Sequence, residues 1–216
     1  MKNIFDGDNK FNRFMTKVFD LCLLNLLTFI CSLPIITAGA AMTAFHTIMR
    51  KMQSDEDGEI LSSYIKEFKT NLKGSFSGWL VLAALYIVFL ADLLIAMKSN
   101  SGNKGIYIGI YAFIVAFCFG LSSWYFSIRA MFDEKAMNSL KNALGLSIVN
   151  APLTIVMGGV TVAVMWLCLN NPFFVGLIPV CIIGIVEFPK VYFITKKLEK
   201  FIEDKADNNV ESVSAD

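Results

Sequence analysis

Few side chains in this sequence are placed to do chemistry, and most of those sit in apolar surroundings. Asn25, Thr37, His46, Asp92 and Glu187 stand within or at the ends of long apolar runs. An ionisable group inside a membrane segment is costly and marks a functional position by default. Glu187 precedes Lys190 by three residues, and Asp20 follows Lys17 by three. On a helix each carboxylate can pair with its neighbouring lysine near the inner interface, which is the favoured reading of both. Asp92 has no basic neighbour, so an outer-interface position and a polar cavity stay equally open. Asn25 suits a hydrogen bond between helices better than a substrate contact. His46 is the single histidine, and no Cys or Asp stands at ligand spacing, so no metal site is expected. The patterns GxSxG, HExxH and GxxxxGK[ST] are missing from the sequence, and nothing selects a Ser–His pair. No catalytic, cofactor or metal residue is assigned, and the chain is read as a protein other than an enzyme. The five cysteines, Cys22, Cys31, Cys118, Cys168 and Cys181, lie in apolar runs and read as packing residues rather than a disulfide framework.

The elements that position these groups are membrane helices. The chain has 216 residues, 56% hydrophobic and 17% charged, with mean hydropathy +0.59, well beyond soluble composition. A net charge of +1 gives no electrostatic case for nucleic acid. Apolar runs at 78–97, 105–128, 148–169 and 173–194 are each long enough to cross a bilayer, and a fifth covers 18–33. In lipid such runs form helices, because a lone strand leaves its backbone groups unsatisfied. The segment 34–50 is short and rich in small residues, among them Ala38, Gly39, Ala40, Ala41 and Ala44. It fits a sixth span, a re-entrant segment or an interfacial helix.

Charge arbitrates. If 34–50 crosses, seventeen of the nineteen Lys and Arg fall on the inner side, leaving Lys98 and Lys104 outside. The predicted fold is therefore all-α: a polytopic bundle of six transmembrane helices, five being the alternative. Pro34 marks an outer turn and both termini are cytoplasmic. Trp79 and Trp124 then fall near inner span ends and Trp166 near an outer one. Ala38-Gly39-Ala40 also resembles a signal-peptide cleavage site, but cleavage would destroy the charge pattern. Residues 1–205 read as one membrane domain and 206–216 as a disordered polar tail.

Polar stretches between the spans have helical periodicity. In 59–73, Ile60, Leu61, Tyr64, Ile65, Phe68 and Leu72 recur at helical spacing opposite Lys66, Glu67, Lys69 and Lys73. This predicts an amphipathic helix on the inner surface or on partner helices. Residues 131–147 repeat the design, and 9–17 do so more weakly, which suggests three units of surface helix plus hairpin. The acidic loop 53–59 reads as a helix-start turn; it lacks the spacing of a calcium loop.

The run Ser32-Leu33-Pro34-Ile35-Ile36-Thr37-Ala38-Gly39-Ala40-Ala41, preceded by Asn25-Leu26-Leu27, resembles the signature of the YesL family of bacterial membrane proteins. Ile128-Arg129-Ala130-Met131-Phe132-Asp133, in altered form, and Leu140-Lys141-Asn142-Ala143-Leu144 look like two further family elements. Phe68 and Asn71 ahead of Trp79 also fit. The family has no established activity and brings no site residues. The resemblance implies a setting: the plasma membrane of Gram-positive bacteria, beside carbohydrate-uptake systems. The expected function is an accessory or regulatory component of ATP-driven (ABC-type) sugar uptake, contacting transporter subunits and the lipid bilayer. The alternative is a small-solute transporter or channel in its own right, and a membrane enzyme ranks below both. The stretch Asn142–Gly145 lacks the acidic start of an ABC coupling element, which argues against direct contact with an ATPase.

Overall fold

The structure is a computed structural model. It describes residues 10–54, 59–98, 102–171 and 182–214, with the side chains of some terminal residues undescribed. The described residues form eight helices and no strand: α1 Lys10–Ser32, α2 Ala38–Gln53, α3 Ile60–Gly74, α4 Phe76–Lys98, α5 Lys104–Met131, α6 Ala136–Val149, α7 Ala151–Asn170 and α8 Ile183–Ser214. Four helices are long and apolar enough to cross a membrane: α1 over Met15–Ser32, α4, α5, and α7 over Ala151–Cys168. Much of the predicted last span, residues 172–181 with Cys181, lies outside the described residues.

Several boundaries differ from the sequence reading. The expected surface helix at 9–17 is the start of α1, which runs unbroken from Lys10 into the apolar segment. Asn150 divides α6 from α7, so Ile148 and Val149 close a surface helix and Pro152 sits in the first turn of the span. The tail expected to be disordered continues α8 as far as Ser214. The helix has no Gly or Pro after Pro189, and Lys and Glu, both good helix formers, recur between Lys190 and Lys205 ahead of the tail.

The largest departure concerns α2. Its sixteen residues span only about 24 Å at 1.5 Å each, short of the ~30 Å hydrocarbon core. The preceding turn lies beside the first turn of α4, where the Trp79 indole donates to the Ile35 carbonyl at 2.7 Å. Six side-by-side crossings would hold those two residues at opposite faces. Contacts with α8 agree. His46 faces Glu187, yet Gln53, seven residues further along α2, donates to the carbonyl of Phe188. Nearly two turns of α2 thus meet neighbouring residues of α8, so the two helices do not run side by side in register here.

The small residues make that arrangement possible. Ala40, Ala41 and Ala44 are buried, and a Cβ on Gly39 would lie 2.4 Å from the Trp79 Cβ. One core gathers around Trp124, Tyr125, Leu121, Leu140 and Ile194, joining α5 to α6 and α8. A second gathers around Leu24, Phe45, Ile48, Met49 and Tyr64, joining α1, α2 and α3. The molecule therefore has an N-terminal layer, α1–α3, packed against a bundle of α4–α8.

Candidate functional site

Hydroxyls and charges line the contact between layer and bundle. His46 on α2 is fully buried. Its Nδ1 lies 2.9 Å from Ser127 Oγ on α5, and its Nε2 lies 3.8 Å from Glu187 Oε2 on α8. The second oxygen of Glu187 accepts from Lys190 Nζ at 2.7 Å, one helical turn along the same helix. Ser123 on α5 donates to Glu187 at 3.4 Å, and Lys190 also donates to Thr161 on α7. Glu187 and Lys190 are 8% and 4% exposed. Burying charges is costly unless they are paired and hydrogen-bonded, and here each has both kinds of partner. Pro189, which lacks a backbone N–H, sits between them in α8.

The surroundings favour one proton arrangement. A lone pair on Nε2 would face a carboxylate oxygen, so the neutral imidazole carries its proton on Nε2 and accepts from Ser127 at Nδ1. At 3.8 Å the Nε2–H is too far from Glu187 for a hydrogen bond, and this atom has no other hydrogen-bond partner. The imidazole also contacts the Phe126 ring at a centroid distance of 5.8 Å. On α4, Tyr86 donates to Ser122 at 2.6 Å behind the cluster.

A second polar group lies at the end of α3. Arg129 of α5 is buried, reaching Asn71 Oδ1 at 3.3 Å and the Glu134 carbonyl. Thr43 of α2 and Ser75 share a hydrogen bond at 3.0 Å, and Tyr125 donates to the Ser75 carbonyl. Tyr64 on α3 donates to the Ala41 carbonyl. Burial pushes its phenol well above the usual range, so it stays a neutral donor.

Of the five residues singled out in the sequence, the structure brings two together, His46 and Glu187. The Glu187–Lys190 pair forms as expected, with both side chains buried in the protein. Asn25 is fully buried on α1, with Oδ1 facing Gly184 of α8, where an added Cβ would lie 3.6 Å away. Thr37 closes the turn before α2, donating to the carbonyls of Cys31 and Pro34, so its role is local. Asp92 lies half-buried toward the far end of α4, away from the cluster. Sequence reasoning passed over Ser123, Ser127 and Thr161, and met Arg129 only as part of a family element. The first two are four apart on one face of an apolar helix, a polar stripe that periodicity could have found. No group of His, Cys, Asp and Glu among the described residues could hold a metal ion.

No curated protein and no solved structure matches the chain. Residues 21–93, from α1 into α4 and about a third of the sequence, match the family model described as "Protein of unknown function, DUF624", a family that includes YesL-like membrane proteins.

Proposed function

We propose that this chain is an accessory or regulatory membrane component of ABC-type carbohydrate uptake, in the setting implied by its resemblance to the YesL family. The observation that carries the partner-binding part of this reading is the divided face of α3. Tyr64 and Asn71 are buried against α2 and the bundle, while Leu61, Ile65 and Leu72 are 43%, 39% and 37% exposed. Those three recur at helical spacing on the side of α3 left open, and apolar surface at helical spacing is what a partner helix or a lipid surface covers. Asn71, on the buried side of α3, accepts a hydrogen bond from Arg129 near the C-terminal end of α5. A contact made on α3 is thereby tied to the spans.

Affinity purification from native membranes, with a sugar permease as the scored partner, tests the proposal. Wild-type protein is expected to bring the permease down, and Leu61→Glu with Ile65→Glu to lose it. A permease that never co-purifies under mild solubilisation would contradict the reading. The second reading, a small-solute transporter, draws support from the buried His46–Glu187–Lys190 cluster, since intramembrane charges line transport paths. Sugar or ion uptake by the purified protein in liposomes would favour it.

A further inference from the structure

The contact between α2 and α8 keeps three ionisable side chains out of water, and only two of them are neutralised by each other. Glu187 and Lys190 balance in charge, leaving His46 neutral beside them. The imidazole has a place for one more proton, at Nδ1, where Ser127 sits at 2.9 Å. A hydroxyl donates or accepts by rotating, so Ser127 can turn from donating to Nδ1 to accepting from it without moving an atom heavier than hydrogen. Across the ring, Nε2–H already points toward Glu187 but stops short of it.

We propose that His46 is a proton-acceptor site and that proton uptake there releases α2 from α8. The proton comes from water, Nδ1 takes it, and the Ser127 hydroxyl reverses. No covalent bond other than N–H forms. The cluster then holds two cations on one carboxylate, in a place too dry to screen the excess. It regains balance when α2 shifts and lets water reach the imidazolium. The groups facing His46 are few. α5 presents Ser123 and Ser127, and α8 presents Glu187 and Lys190, the two charges beside the ring. α7 presents Thr161 to Lys190. Tyr86 of α4 is engaged by Ser122, Tyr64 of α3 by Ala41, and Asn25 of α1 faces Gly184. On α2 itself Arg50 lies one turn beyond.

Because the chain has one histidine, nitrogen-15 spectra of histidine-labelled full-length protein in lipid nanodiscs report this ring alone. Removing the competing cation with Lys190→Met is expected to raise the protonation midpoint by about one pH unit, a tenfold gain in proton affinity. Should that variant not fold, Lys190→Gln keeps a polar side chain near Thr161 and shifts the midpoint the same way. Amide exchange along α2, corrected for intrinsic rates, should rise in step with protonation and lose that step in His46→Gln. Equal midpoints in wild type and variant would overturn the proposal, as would a ring neutral from pH 3 to 8 in both. So would an imidazole that titrates while α2 exchange stays flat.

Discussion

Where α5 meets α7, glycine lets backbone lie on backbone; where α2 meets α5 and α8, polar side chains fill the gap. A Cβ on Gly158 would lie 1.7 Å from the Ala116 carbonyl oxygen, and one on Gly120 would lie 2.2 Å from the Thr154 carbonyl. That is the close approach small residues permit between membrane helices. The residues that make it, Ala116, Gly120, Thr154 and Gly158, carry no titratable side chain. The α2 contact holds an imidazole, a carboxylate and an ammonium, and its stability depends on which of them carry protons. The glycine contact is built to stay closed and the polar one can respond. The polar contact also joins the N-terminal layer to the bundle, so a response there moves one unit against the other.

Substitutions can break or sharpen this contrast. Glu187→Ala has the largest expected effect, because it strands Lys190 as a buried charge. Thermal unfolding in detergent should show a loss of about 3–5 kcal/mol. Replacing both partners, Glu187→Met with Lys190→Met, should restore most of that loss, as apolar replacement of a buried pair often does. If the double variant stays as unstable as the single one, the cluster matters through packing rather than charge. Gly158→Ala follows, at about 1–3 kcal/mol, since the Ala116 backbone has to give way. Its cost should not vary with pH, whereas the stability of the α2 contact should.

Ser127→Ala should cost about 1 kcal/mol, by removing the hydrogen-bond partner of a buried imidazole nitrogen. Lys51→Ala is smallest. The Lys51–Glu67 pair at 3.2 Å joins α2 to α3 with both side chains partly exposed. Such a pair is worth at most about 0.5 kcal/mol and fades with salt.

How much of this was legible in the sequence follows from the range of each interaction. Glu187 and Lys190 are three residues apart, and helical geometry alone brings them together. His46 reaches Glu187 only through the tertiary fold, across most of the chain, and no local pattern encodes that. Charge counting located the polar ends of the apolar runs. It could not separate a crossing from a hairpin that turns back, because both leave Arg50 and the residues after it on the inner side. The small residues 38–44 did signal close packing, and Gly39 against Trp79 is that packing. They carried no information about the angle at which α2 passes its neighbours. The α3 periodicity predicted the helix but merged two faces, since Tyr64 and Leu61 are both apolar in composition and differ only in what lies opposite them.

The central claim is that α2 crosses α8 at the His46–Glu187 contact instead of descending alongside it. Disulfide trapping in native membranes tests it most directly, in a background freed of the five natural cysteines. Gln53→Cys is paired in turn with Phe188→Cys and with Thr195→Cys. A crossing predicts faster trapping with position 188, whose carbonyl Gln53 meets at 2.8 Å, than with position 195. Trapping with 195 and not with 188 would mean that the helices run side by side, and would contradict the account.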